Sequence, residues 1–201
     1  FIVFLDNDDR LHPHALATGL AAFEGNPRVG FVFGRAQPID TDGQTVDWEL
    51  PMQPPVADYA SLLAGRHIIA PAAFMVRTTA VRSVNGFNRD LYAAEECDLW
   101  RRIARTWPVV FHAQVLFDYR IHEGNTSGDG PRMLRGALCM HDSHWPFVEA
   151  SGRADWVDAF HEGRKFWIDL YGPHLVSHAM KRLRAGHASG ALEALRLAVE
   201  H

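Results

Sequence analysis

Five apolar residues at the start of the chain, Phe1-Ile2-Val3-Phe4-Leu5, run without a break into Asp6-Asn7-Asp8-Asp9. An uninterrupted apolar run with aromatic and β-branched members predicts a strand buried on both faces. Beyond the acidic turn, Pro13 suits a first helical position, and Leu16, Leu20 and Phe23 keep helical spacing until Gly25-Asn26-Pro27. Residues 29–33 then read as a strand, Asp42-Gly43 as a turn, 44–48 as a return strand and 51–55 as loop. Asp58 is placed to cap a helix reaching Leu63, residues 68–76 read as a strand, and Thr78 caps a helix that Asn85-Gly86 ends. The clearest helix spans 95–106 and stops at Trp107-Pro108; strands at 109–111 and 115–121 precede a polar loop at 123–130. From Pro131 onward the pattern is helical.

Alternating helices and strands predict an α/β fold: a mostly parallel sheet flanked by helices, with ligands beyond the carboxyl ends of its strands. The expected division is a domain at 1–130 and a C-terminal helical extension at 131–201. That extension carries His174 and His178, then Lys181-Arg182-Leu183-Arg184, with Leu183, Leu192 and Leu195 on one side. It is expected to pack on its own domain, with a peripheral membrane or partner contact as the alternative.

Composition narrows the classes. A chain of 201 residues that is 47% hydrophobic can bury a core. Its formal net charge of -4 supplies no global basic field for nucleic acid, so an anionic ligand needs a local cation. Cys97 and Cys139 are the only cysteines, which argues against a disulfide framework and for a reducing compartment. No apolar run approaches the ~20 residues of a membrane span and no signal peptide precedes the first strand, so a cytoplasmic location is expected. Because the sequence starts in mid-strand, it is expected to be a fragment lacking an upstream part.

Three residues types then suggest chemistry. Carboxylates at a strand end repel unless a cation sits among them, and in extended backbone Asp6 and Asp8 project to one side, where they can address one divalent ion. A solvated acidic turn is the competing reading. Helical projection puts Glu96 on the stripe of Leu99, Trp100, Ile103 and Trp107, whereas Glu95, Asp98 and Arg102 fall on a side expected to be solvated. A carboxylate on a core-facing stripe is costly without a partner or a task, and burial raises its pKa toward the range of a general base. His122, at a strand end entering a Gly-containing loop, is the candidate to close a metal's coordination.

Taken in order, these segments resemble the family 2 glycosyltransferases of the GT-A fold, from Phe1 to about Ser127. Phe4-Leu5-Asp6-Asn7-Asp8-Asp9 resembles the strand ending in that family's DxD motif. Ala72-Ala73-Phe74-Met75-Val76-Arg77 with Gly86-Phe87 is similar to the strand and helix before its catalytic helix, and Ala94-Glu95-Glu96-Cys97-Asp98-Leu99-Trp100 resembles its Glu-Asp motif. Tyr119-Arg120-Ile121-His122, with Asn125 and Ser127, resembles its closing strand and metal-binding histidine. The resemblance implies an inverting transfer from a nucleotide-diphosphate sugar to a saccharide or other hydroxyl acceptor, with Mn²⁺ or Mg²⁺ as cofactor. It implies Asp8, Asp6 and His122 as metal-site residues, Asp6, Asp9 and Trp100 as substrate contacts, and Glu96 as base with Glu95 as fallback. Family members usually carry Asp where Glu96 stands, and the strands that hold the nucleotide base would precede Phe1. An apolar strand ending Asp-x-Asp also resembles haloacid dehalogenase-like phosphatases, with Asp6 as nucleophile and Asp8 as acid or base. A non-catalytic sugar-binding remnant is the third alternative.

Overall fold

The computed structural model describes residues 1–24, 26–47, 57–67 and 70–200. In chain order the elements are β1 (Ile2–Val3), β2 (Arg10–Leu11), α1 (Ala15–Phe23), β3 (Phe31–Ile39), α2 (Tyr59–Leu63), β4 (Phe74–Val76) and α3 (Thr78–Ser83). They continue with α4 (Glu95–Ala104), β5 (Val109–Arg120), α5 (Gly130–Asp142), α6 (Trp145–Ser151), α7 (Ala154–Arg184) and α8 (Ala188–Glu200). Two compact units result: Phe1–Leu62, Arg66–Asn88 and Glu96–Glu123 form the first, and Leu63–Gly65, Arg89–Glu95 and Gly124–His201 the second. Gly25, Trp48, the loop at 51–55 and the start of the strand expected at 68 lie outside the described residues.

In the first unit, helices flank a curled five-stranded sheet of order β1-β4-β3-β5-β2. The expected parallel character is confined to the longest pairing, β3 with β5; the other three pairings are antiparallel. Parallel neighbours need a crossover, and α2, α3 and α4 between β3 and β5 supply one; the sequence pattern shows strands but not their direction. The two strands expected at 109–111 and 115–121 are one, β5, whose register against β3 shifts around Arg35. Gly34 lies at that shift, where a Cβ would stand 2.6 Å from the carbonyl oxygen of Gln114, so the strands approach there only because the side chain is missing.

The core explains why these strands stay together. Phe31, Phe33, Phe74, Leu99, Trp100, Ile103 and Phe117 are buried in one cluster, and the Phe74 ring stacks between Phe33 at 4.9 Å and Trp100 at 4.5 Å. Two sequence expectations give way here. β1 is an edge strand only two residues long, and Phe1 and Leu5 are about half exposed, so the opening run is not buried on both faces. Helix α1 buries Ala15, Gly19 and Phe23 and exposes Leu16 and Leu20. A Cβ on Gly19 would meet the Met75 side chain at 2.8 Å, so closeness of approach, not bulk, chooses the buried face.

Helix α4 turns Leu99, Trp100 and Ile103 inward as its spacing predicts, but the Asp98–Arg102 pair is not solvated: Asp98 is buried. Arg102 Nε donates to Asp98 Oδ2 at 2.7 Å, while Nη1 and Nη2 donate to the carbonyls of Val84 (2.6 Å) and Gly86 (2.7 Å). Those carbonyls belong to the left-handed turn at Asn85 (φ 59) and Gly86 (φ 70) that ends α3. Arg102 satisfies the turn and Asp98 balances the charge so buried, a demand no helical wheel reveals.

In the second unit, Asp129 caps α5 by accepting from the Arg132 amide at 3.3 Å. Phe160, Trp167 and Leu175 of α7 are buried, and the ring of the fully buried His141 is 2.9 Å from the Phe160 carbonyl. Helices α7 and α8 meet through Ala179, Ala191 and Ala194. Among the described residues, no helix is long and apolar enough to cross a membrane.

Candidate functional site

The acidic turn owes its position to a span problem. β1 and β2 lie at opposite edges of the sheet, and residues 4–9 must carry the chain between them. The Asp9 amide donates to the Asp6 carbonyl at 3.3 Å, and Phe4 anchors the departure by packing on Phe87 and Trp100, with ring centroids 5.1 and 6.2 Å away. On arrival, Arg10 pairs with Asp118 of β5 across the ladder.

Alternate positions along the end of β5 then hold the turn. Asp118 accepts from Arg10 Nε at 2.8 Å, and its other oxygen lies 2.8 Å from His12 Nε2. The Arg120 amide donates to Asp9 Oδ1 at 3.0 Å. Its guanidinium donates to three carbonyls: Asp8 (2.9 Å), Asp40 (2.8 Å) and Thr41 (3.0 Å). Two residues on, His122 Nε2 lies 2.8 Å from Asp8 Oδ2. Asp118 and Arg120 share a face of β5, and His122 follows just beyond its end, so the three act in series on one stretch of chain.

The three carboxylates are tuned differently. The hydrogen bond from His122 is the main cause that holds Asp8 below the usual carboxylate range. Burial pushes Asp9 up to about 6, and the charges of Asp8 and Asp6 add to the rise, although the Arg120 amide opposes it. Its Oδ2 is buried without a hydrogen-bond partner. For Asp118, burial pushes upward, but the hydrogen bonds from His12 and Arg10 outweigh it and the carboxyl ends below its ordinary value.

The structure thus brings Asp8 and His122 together from 114 residues apart, with Asp9 beside them. Asp6 is exposed in the same turn. Glu96 is half-buried in the first turn of α4, with Oε1 at 3.9 Å from the Cys97 sulfur, which donates to it. Glu95 opens α4 directly after Ala94, whose left-handed backbone (φ 58) costs an L-residue about 1–2 kcal/mol. Trp100, expected to contact substrate, is 2% exposed and stacked on Phe74. A large aromatic spaced with Leu99 and Ile103 packs in the core cluster.

Sequence reasoning missed Arg120, Asp118, His12 and Arg10. The signal was present: Asp118, Arg120 and His122 alternate at the end of a predicted strand, so a shared face could have been read. Their partners are the backbone and side chains of the acidic turn, which no spacing rule connects to them.

No protein-family model matches the chain, and no curated protein matches it. Solved structures do. S. aureus TarS 1-349 aligns at TM-score 0.43 and 12% identity, covering 97% of this chain and 66% of that one. The same segment in complex with UDP aligns at TM-score 0.43 and 13% identity with the same coverage. A longer S. aureus TarS structure aligns at 0.43 and 12%, covering 94% of this chain and 38% of that one. The chain therefore spans less than two thirds of the solved chains it resembles.

Proposed function

We propose that this chain is the metal- and acceptor-side portion of an inverting glycosyltransferase that moves a sugar from a nucleotide-diphosphate sugar to an acceptor hydroxyl. Residues 1–130 form that portion and 131–201 a helical extension. The observation that carries the reading is the Asp8–His122 pair: two of the three residues that the family resemblance assigns to the metal meet at 2.8 Å.

Their geometry and chemistry fit such an ion. Two adjacent ligands of an octahedral cation with bonds of ~2.1 Å stand about 3 Å apart. Among the described residues, no three His, Cys, Asp or Glu side chains converge to hold a metal. A carboxylate with phosphate oxygens and water is what Mg²⁺ or Mn²⁺ takes in a nucleotide site, and the His122 imidazole beside it favours the softer Mn²⁺ over Mg²⁺. When bound, the ion supplies charge compensation for the departing diphosphate.

The chain's own residues do the rest. Arg120 fixes the Asp8 backbone and so the direction of its carboxylate. Asp6, exposed in the turn, contacts the ribose or the metal through water, and Asp9 lies on the donor side. Glu96 removes the proton from the acceptor hydroxyl, and Glu95 is the fallback. At the N-terminal end of α4 the helix dipole favours the Glu96 anion, the form a base needs.

The test is nucleoside diphosphate release from a panel of nucleotide sugars, with Mn²⁺ and with EDTA, alongside Mn²⁺ titration in the presence of each nucleoside diphosphate. Asp8→Asn and His122→Ala are each expected to weaken Mn²⁺ binding by on the order of tenfold or more. Undiminished titration by both variants overturns the assignment. Phosphate release from a generic phosphomonoester through Asp6 and Asp8 would favour the phosphatase alternative; saccharide binding without metal-dependent turnover would favour the sugar-binding remnant.

A further inference from the structure

The geometry points to a peripheral docking surface for an anionic phospholipid bilayer, formed by one face of the α7–α8 hairpin. Six apolar side chains are left in solvent there. Val176, Met180 and Leu183 of α7 are 55%, 48% and 48% exposed, and Leu192, Leu195 and Val199 of α8 are 51%, 39% and 88% exposed.

These residues form one face. At roughly 100° per residue, Val176, Met180 and Leu183 lie about 40–100° from Ala179, the α7 residue that packs on α8. Leu192, Leu195 and Val199 lie about 40–100° from Ala191 in the same rotational sense. The helices reverse direction through residues 185–187, and Gly190 packs beside Arg182, so they run antiparallel. Equal rotation in one sense on antiparallel neighbours carries both rows to the same side. Arg184 and Arg196 stand about 140° from the two alanines, one on each outer edge of the apolar face.

Charge selects the occupant. Between Pro173 and Val199 the sequence has four cations, Lys181, Arg182, Arg184 and Arg196, and one carboxylate, Glu193, in a chain whose net charge is -4. All four cations are exposed. Scattered surface leucines need no explanation, but a contiguous apolar row bordered by arginines has the two signals, hydrophobic and electrostatic, that stable surface binding requires. No described helix can cross a bilayer, so the hairpin lies on the surface with its apolar row toward the acyl boundary and its arginines at the headgroups.

Co-sedimentation of the 201-residue chain with lipid vesicles tests this. Vesicles of phosphatidylcholine alone are compared with vesicles containing about 30% phosphatidylglycerol, in EDTA and without nucleotide, so that the result is independent of the catalytic proposal. The chain is expected to pellet with the anionic vesicles only. The variant Met180→Glu/Leu192→Glu and the variant Lys181→Gln/Arg184→Gln/Arg196→Gln are each expected to bind on the order of tenfold more weakly. All five positions are exposed, and circular dichroism with a thermal midpoint checks that each variant folds; the charge variant keeps the test open should the glutamates unfold the hairpin. Binding to neither vesicle, equal binding to both, or binding unaffected by both variants overturns the proposal. So does concentration-dependent dimerisation abolished by Met180→Glu/Leu192→Glu, which would assign the face to a second copy of the chain.

Discussion

Replacing Asp9 by Asn should make the metal-free protein more stable at neutral pH. The Asp9 carboxyl is raised to about 6 from its ordinary 3.8, chiefly because it is buried. A carboxyl with a raised folded-state pKa keeps its proton in the folded state after the unfolded chain has lost it. Its favourable contribution is fully present below about pH 3.8 and is lost as pH rises through about 6. A shift of about two units, at 1.36 kcal/mol each, sets a ceiling of about 3 kcal/mol on the resulting penalty at neutral pH, and solvent screening of this partly exposed carboxyl lowers it to about 1–2 kcal/mol. Asn removes the charge while its oxygen still accepts the Arg120 amide. Against that, the new NH₂ occupies the place of an oxygen already buried without a partner, at a cost of about 1 kcal/mol. The expected net gain is up to about 1 kcal/mol near pH 7.5, shrinking to zero or below near pH 4. Urea unfolding of both proteins in EDTA at the two pH values measures it. A difference that does not change with pH would refute the reasoning, because the ionisation of Asp9, coupled to that of Asp8 and Asp6, must make it change. Added Mn²⁺ should then stabilise the wild type, since a cation beside Asp8 also offsets the neighbouring charge.

Other perturbations separate the scaffold from the site. Arg120→Lys forfeits the fork that reaches the Asp8, Asp40 and Thr41 carbonyls; a loss of about 2 kcal/mol by urea unfolding and weaker Mn²⁺ binding are expected, and unchanged values for both would release Arg120 from its role. Asp98→Ala leaves the Arg102 guanidinium without its buried carboxylate and should cost about 3–5 kcal/mol; a measured loss below about 1 kcal/mol would mean that solvent screens the pair. Gly163→Ala puts a Cβ onto the Leu63 carbonyl oxygen and 2.8 Å from the His141 ring, so a thermal midpoint near that of the wild type would contradict the α7 packing. Asp118 has a lowered pKa, so its stabilisation is present above about 3.8 and disappears as pH falls through its folded-state value. Acid titration of stability should therefore be steeper for the wild type than for Asp118→Asn, and parallel curves would deny the pairing with His12 and Arg10.

Local rules made most elements legible. Asp58 caps α2 with a 2.7 Å bond from the Ser61 amide, Asn85-Gly86 ends α3 in left-handed backbone, and α4 buries its Leu99-Trp100-Ile103 stripe, because caps, turns and amphipathic spacing depend on residues a few positions apart. The acidic run and His122 were legible as candidates for the same reason: their chemistry is intrinsic to the side chains.

Tertiary structure alone decided the remainder. Whether β3 and β5 run parallel, and whether β1 is central or at the edge, depends on pairings between distant segments that alternation does not encode. The burial of Asp98, the exposure of Leu16 and Leu20, and the stacking of Trp100 in the core follow from backbone carbonyls, the Met75 side chain and neighbouring rings met only after folding. So does the centre of the candidate site: sequence supplied the Asp8 carboxylate and the His122 imidazole, while the β5 register and the Arg120 clamp brought them to 2.8 Å across 114 residues.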